Sequence, residues 1–288
     1  MDKDEILEQV AEWPLVRTKC VCGADDSTLV SYTERLGLPA ATVICRCCGT
    51  VRRLHTWDEH HVRFFYSRGW YRTLCGRRTL EERHAAQAGI GTFYRQEMLA
   101  RGVDLGRVLE IGCDTGGALS AFPGSAMGEE LDAEAREYAV RCDHVVAEHC
   151  APHWPLSAIF ANHVLEHTID PVDTLRAWSE RLAAGGVLLF AVPDLWRVSD
   201  GEDWRRGYAS GGDEAAWQAW WRIDHVWEWT ERTIRVVLER AGLDAHVQRV
   251  PAGVLATVGS LFVVAHPSGE AGVIRSFLNL RHQEDGDT

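Results

Sequence analysis

From Arg107 to Pro267 the sequence alternates short apolar runs with amphipathic stretches, and no other feature so limits the folds open to it. The apolar runs are "RVLEIG", "GSAMGEEL", "DHVVAEH", "SAIFAN", "GVLLFAVP", "LDAHVQRV" and "GSLFVVAHP". Among them lie "DAEAREYAVR", "PVDTLRAWSERLAAGG" and "TERTIRVVLERAG", which read as helices. Strands separated by helices predict an α/β domain with a doubly wound, mostly parallel sheet of seven strands. The last two runs have no helix between them, so an antiparallel end is expected.

Within this pattern "VLEIGCDTGGAL", Val108 to Leu119, is a strand that delivers Glu110 and then a glycine turn into a helix. Gly112 and Gly116 let backbone approach a ligand at the strand's carboxyl end, where open sheets bind ligands. The spacing of Gly112, Asp114, Gly116 and Gly117 does not fit the dinucleotide fingerprint G-x-G-x-x-G.

A second motif, "SAIFANHVLEHTIDP", holds His163, Glu166 and His167 as H-x-x-E-H, which in a long helix is the zinc signature of an inverted metalloprotease. Here a strand ends near Asn162, and Asp170-Pro171 starts a new helix with Asp170 as N-cap and Pro171 at its first position. Only about one helical turn fits between them, so the protease reading fails. In such a turn the three side chains, at i, i+3 and i+4, are expected to share one face.

The chain before the sheet is of a different kind. "KCVCGADDSTLVSYTERLGLPAATVICRCCGT" gathers five of the nine cysteines. Cys45, Cys48 and Gly49 form a C-x-x-C-G knuckle, and Cys20, Cys22 and Gly23 a shortened one. Together they read as a zinc-ribbon-like segment over 18–55 that holds a structural zinc, with Cys47 spare. Residues 1–17 form a short amphipathic opening. Residues 56–104 read as a helical, Arg-rich bridge, followed by the main domain over 105–268 and a tail over 269–288. From Arg46 to Arg101 there are eleven Arg and no Lys against five carboxylates, a region able to meet a phosphate or to lay Arg stems on apolar surface.

The formal net charge of −12 argues against a broad nucleic-acid-coating role. The acidic start "MDKDEILEQV" and the absence of a long apolar run lead us to expect a cytoplasmic protein without membrane spans. In that reducing compartment clustered cysteines favour metal ligation over disulfides.

"VLEIGCDTGG", "GEELDAEAREYA", "IFANHVLEHTIDPVDTLRAWSERLAAGGVLLFAVPD" and "DHVWEWTERTIRVVLERAGL" occur in the order found in class I S-adenosylmethionine-dependent methyltransferases. The resemblance covers roughly Leu105 to Pro267 and is nearest to members with an N-terminal zinc ribbon, several of which modify sugars. It implies that Glu110 and the turn from Gly112 through Asp114 to Gly116 hold the methionine part of the cofactor. It also implies that Glu130 takes both ribose hydroxyls, and a carboxylate can accept both bonds from a cis-diol. Leu131 and Asn162 complete the expected contacts. The sequence departs from the family at Asp114, where a middle glycine is usual, and in its short link before "SAIFAN", which leaves Glu148 as the candidate to contact adenine.

Related methyltransferases of the ubiquinone pathway and of small RNAs carry E-x-x-E-H plus a later His and use them to hold a divalent ion. By that likeness His163, Glu166, His167 and His225 are candidate ligands of a catalytic metal, their His-rich set favouring zinc, iron or nickel over magnesium. The alternative is that Glu166 and His167 brace the loop while His163 or His225 is a metal-free base. Seven of the 12 tryptophans, Trp196, Trp204, Trp217, Trp220, Trp221, Trp227 and Trp229, fall in an insert over 194–229 that reads as a substrate lid or as its own small core. The expected activity is methyl transfer to a small polar acceptor, a sugar or sugar-containing natural product foremost. An RNA methyltransferase and a non-catalytic adaptor are the competing readings.

Overall fold

Asp132, Asp170 and Thr230 each stand where strand text gives way to helix, and each caps the helix it precedes. Asp132 accepts from the amides of Glu134 and Ala135, Asp170 from those of Val172 and Asp173, and Thr230 from that of Thr233. In this computed structural model, residues 1–34, 36–75, 78–122, 124, 126–150, 155–195, 223–256 and 259–269 are described.

The N-terminal part comprises α1 (Lys3–Ala11), β1 (Leu15–Arg17), β2 (Ser27–Thr33), β3 (Pro39–Cys45), β4 (Val51–Arg53), β5 (His55–Trp57), α2 (Glu59–Ser67), α3 (Trp70–Cys75) and α4 (Leu80–Leu99). The rest comprises β6 (Val108–Ile111), β7 (Ala126–Glu129), α5 (Ala133–Arg141), β8 (Val145–Ala147), β9 (Leu156–Asn162), α6 (Pro171–Ser179), β10 (Leu182–Pro193), β11 (Trp227–Glu228), α7 (Glu231–Ala241), β12 (Leu243–Val250) and β13 (Ser260–Pro267).

The seven expected strands form one sheet in the order β12-β13-β10-β9-β6-β7-β8. Pairing is parallel from β10 through β8, and β13 runs antiparallel to both β10 and β12. One face is covered by α4, whose Tyr94 and Met98 join Val108, Phe160 and Phe262 in an apolar cluster. The other is covered by α6 and α7, through Leu175, Trp178, Ile234 and Val237. The helix expected over "PVDTLRAWSERLAAGG" stops at Ser179, and residues 182–186 join β10 through a register shift at which Gly185 takes a φ of 74°.

The cysteine-rich segment is not a free appendage. Its sheet has the order β11-β4-β3-β2, so its outer strand comes from residues 227–228, far along the chain. Trp227 and Trp229 are buried in the main core with rings stacked at 5.8 Å, so they are packing residues and do not line a substrate lid. Trp196, Trp204, Trp217, Trp220 and Trp221, and the tail beyond residue 269, lie outside the described residues. Among the described residues no helix is long and apolar enough to cross a membrane.

Candidate active site

β6 and β9 are neighbours, and the loops leaving their carboxyl ends build the site. After β6 the Gly112 and Cys113 amides donate to the Glu129 carbonyl at 2.8 and 3.0 Å, pinning the turn to the end of β7. A Cβ on Gly112 would lie 2.7 Å from Val164 Cγ2, and its φ of 68° also favours glycine. Asp114 holds a φ of 50°, a left-handed backbone that Asp tolerates better than most residues, which is how the turn closes without the usual glycine.

The carboxylates around this turn are buried. Glu130 accepts from the amides of Asp114 and Asp132, both at 2.8 Å, while burial pushes its carboxyl up to about 7. Glu110 is pushed well above the ordinary range by burial, and then by the charges of Asp114 and Glu130. Its Oε2 has no hydrogen-bond partner among the described residues. A buried carboxylate oxygen without a partner, beside a turn that excludes side chains, fits a site shaped for a polar ligand.

The Arg-rich segment covers this edge. Arg83 Nε donates to Asp114 Oδ2 at 2.8 Å, and Gln87 Nε2 donates to the same oxygen at 3.0 Å. Arg72 donates to Asp132 and, at 2.7 Å, to Glu134, and Arg63 to Glu148 at 2.6 Å. These guanidiniums neutralise carboxylates at the sheet's carboxyl edge and do not form a free stripe for phosphates. Glu148 is exposed, Leu131 is partly buried beside Glu130, and the Asn162 amide bonds the Leu255 carbonyl at 3.1 Å.

After β9 the H-x-x-E-H residues do not share a helical face. Only Leu165–His167 form a single tight turn, and His163 precedes it with a φ of 56°. The left-handed residue redirects the chain, so His163 bonds Ser260 Oγ (2.9 Å) while its Nδ1 lies 3.8 Å from Glu166 Oε1. Glu166 is buried, and His167 Nε2 lies 3.8 Å from the same oxygen. A ligand atom from each of Glu166, His167 and His225 falls within 4.8 Å of the other two, whereas His163 is outside that group.

The two clustered histidines are oriented alike. His167 Nδ1 lies 2.7 Å from the Asp224 carbonyl, which can only accept, so this nitrogen carries the proton and Nε2 is the basic one. His225 Nδ1 likewise donates to Glu228 Oε1 at 3.2 Å. Tyr66 OH lies 2.9 Å from His167 Nδ1, and Tyr71, its ring 5.4 Å from that of Tyr66, donates to Asp114 Oδ1 at 3.5 Å. Tyr66, Tyr71, Arg83, Gln87 and Asp224 were not legible as site residues, because nothing in their local text links them to partners so far along the chain, and Glu228, although only three residues from His225, lies in a strand whose place beside the site is set by the distant ribbon sheet.

The four ribbon cysteines converge as expected. Their Sγ atoms all lie within 4.8 Å of one another, with Cys20 to Cys48 and Cys20 to Cys22 at 3.5 Å and Cys22 to Cys45 at 3.6 Å. Tetrahedral zinc with Zn–S near 2.3 Å places sulfurs about 3.8 Å apart, so the donor set fits that metal. Gly23 and Gly49 each turn back on the first cysteine of their knuckle, and Cys47 is exposed.

The sequence profile described as "Methyltransferase domain" matches residues 83–248, more than half of the chain. The protein belongs to this family, as a class I S-adenosylmethionine-dependent methyltransferase. Among solved structures, magnesium protoporphyrin IX methyltransferase from Synechocystis PCC 6803 with bound SAH shares 12% identity at a TM-score of 0.50, over 73% of this chain and 100% of that one. An S-adenosylmethionine-dependent methyltransferase from Clostridium acetobutylicum shares 12% identity at a TM-score of 0.47, over 69% and 96%. The DhpI–SAH complex shares 21% at 0.45, over 73% and 95%. The first of these supports the fold. No curated protein matches the chain.

Proposed function

We propose that the enzyme methylates a small polar acceptor, a sugar or sugar-containing natural product foremost, with the Glu166–His167–His225 cluster on the acceptor side. One observation carries this reading. Tyr66 of α2 bonds His167 while Tyr71 of α3, its ring against that of Tyr66, bonds Asp114, so these two consecutive helices link the histidine cluster to the glycine turn.

S-adenosylmethionine, when bound, supplies a methyl group already activated on a sulfonium. The chain's own residues then need to bind, orient and move one proton. Glu130 has the two oxygens required by a ribose diol, and Glu110 with the Gly112–Gly116 turn would hold the methionine part. Leu131 and Asn162 would flank the nucleoside. His225, whose Nδ1 is held by Glu228, is the first candidate for the base that takes the acceptor's proton, with His163 the second. Cys20, Cys22, Cys45 and Cys48 would hold a structural zinc. The Arg63, Arg72 and Arg83 ion pairs count against the RNA reading, and the intact glycine turn with its buried carboxylates counts against an adaptor.

A second reading has its own support. Both His167 and His225 give their Nδ1 protons to oxygen acceptors, the orientation that metal-ligating histidines take. A divalent ion on Glu166, His167 and His225 would then lower the acceptor's pKa in place of a base. The test is turnover against a panel of hydroxylated acceptors, scored by mass gain of one methyl, with and without chelator while ribbon zinc is monitored. Turnover that survives chelation and is lost in His225→Gln supports the base. Loss on chelation with the ribbon zinc retained, restored by a divalent metal, supports the ion. No methylated product from any hydroxylated acceptor would remove the proposed substrate class.

A further inference from the structure

Arg52, the middle residue of β4, is only 1% exposed. Its Nη1 donates to Ser27 Oγ at 3.1 Å, but among the described residues its Nε and Nη2 have no hydrogen-bond partner and no carboxylate pairs with it. Arg53, one residue on and facing the other way, shows the usual treatment of such a group. It donates to the Ala40 carbonyl at 2.8 Å and to Thr42 Oγ1 at 3.2 Å, within the charges of Glu34, Glu228 and Asp224. A guanidinium keeps its charge when buried, and a buried charge with no counter-charge is strongly destabilising.

The register of the ribbon sheet fixes what stands beside Arg52. It lies opposite Val43 of β3 on one side and Trp227 of β11 on the other. The next residue on the Val43 face of β3 is Cys45, and the cross-strand partner of Cys45 is Ser27, the residue that holds Arg52. Two residues before Arg52, Thr50 places its Oγ1 3.0 Å from Cys48 Sγ. Two of the four ribbon cysteines therefore border the row that this side chain crosses, in a sheet where opposed residues stand about 4.5–5.5 Å apart. Zinc held by four thiolates carries two net negative charges, and with Cys20, Cys45 and Cys48 buried, little of that charge is left to water.

Resting on the proposed zinc site, we propose that Arg52 is the buried counter-charge of the zinc–thiolate centre, with Nε and Nη2 serving the ligand sulfurs. Each group answers the other's cost, since the loaded centre alone is a buried dianion and Arg52 alone a buried cation. A positive neighbour also draws electron density from the sulfurs, which makes them poorer nucleophiles and keeps the site closed. Arg52 acts through the thiolates and is a positioning residue of the metal site.

Competition for zinc between the full-length chain and a chromophoric chelator tests this with Arg52→Met, which loses the charge, and Arg52→Lys, which keeps it. Arg52→Met is expected to weaken zinc by about 10- to 100-fold, the range for groups that support metal ligands, and Arg52→Lys to recover most of that loss. Without zinc, Arg52→Met should melt no lower than wild type, and with zinc it should melt lower, a reversal that a packing role does not produce. With cobalt in place of zinc, the sulfur-to-metal charge-transfer band should move to longer wavelength in Arg52→Met, because sulfurs without a positive neighbour give up electrons more readily. Wild-type zinc affinity and cobalt spectrum in Arg52→Met, or equal weakening by Met and Lys, overturn the counter-charge. If Arg52→Met does not fold, Arg52→Gln carries the same expectations and the same overturning results. A wild-type chain that binds no zinc removes the zinc reading itself, and the counter-charge with it.

Discussion

The Val226 amide donates to the Glu166 carbonyl at 2.9 Å, joining the turn that carries His167 to the strand that completes the ribbon sheet. Trp227 reinforces the joint, its indole N–H donating to the Thr168 carbonyl at 2.7 Å while β11 pairs with β4. Trp227→Ala is therefore expected to cost about 3–5 kcal/mol in denaturant unfolding, the range for a large buried aromatic. Trp227→Phe keeps much of the packing but strands the Thr168 carbonyl, for a loss of about 1–3 kcal/mol. If both variants unfold like wild type, the joint is not a structural one.

Two glycines of α4 should respond to alanine with opposite signs. Gly89 is exposed with nothing within 4 Å of an added Cβ, so Gly89→Ala should stabilise by about 0.5–1 kcal/mol through helix propensity. Gly91 faces the turn after the glycine loop, where a Cβ would stand 2.0 Å from the Ala118 carbonyl oxygen. Gly91→Ala should destabilise by at least about 1–3 kcal/mol, because a 20-residue helix must move off the sheet. A shift of Gly91→Ala in the stabilising direction in the same unfolding series would contradict this packing.

Zinc should copurify at about one ion per chain, and Cys48→Ser should release it, because a closed thiolate site has no ligand to spare. Cys20, Val21, Cys45 and Cys48 pack in the same apolar cluster as Trp178, Trp227 and Val237. Removing zinc should therefore lower a single melting transition. A separate early transition, with the rest of the chain melting as before, would show that the ribbon is energetically independent.

Glu130 links stability to pH. Its carboxyl is raised from 4.5 to about 7 by burial, so between those values the unfolded chain has released a proton that the folded chain retains. Stability must then fall as pH rises through that window, and Glu110 acts in the same direction. Glu130→Gln should flatten the slope in urea unfolding from pH 4.5 to 7, and an unchanged slope would exclude Glu130 as its source. Binding of a cationic cofactor favours the ionised carboxylate, so it should release protons below about pH 7, seen as a binding enthalpy that depends on the buffer.

How much of this was legible in the text differs from element to element. The strands of the main sheet, the antiparallel end and the Asp170-Pro171 helix start were readable because they depend on local periodicity and on caps that bond within three residues. The four zinc-site cysteines were readable because two glycine knuckles are themselves local turns. The single turn after β9 was legible, but the left-handed backbone of His163 that separates it from its motif partners was not, since Ser260 and the Ala191 carbonyl hold it from across the sheet.

The sequence by itself determined the α/β alternation, the glycine turn, the Glu130 carboxylate and the two cysteine knuckles, each of which needs only neighbours along the chain. Only the tertiary structure decided that the Arg-rich bridge serves Asp114 and Asp132, that β11 belongs to the ribbon sheet, and that His225 and not His163 joins Glu166 and His167. Those pairings span from 31 residues, for Arg83 with Asp114, to 175, for Trp227 with Arg52. Over such separations side chains meet because folding buries their carrier strands and helices against a common sheet edge, and no local propensity encodes which of many like residues will arrive there.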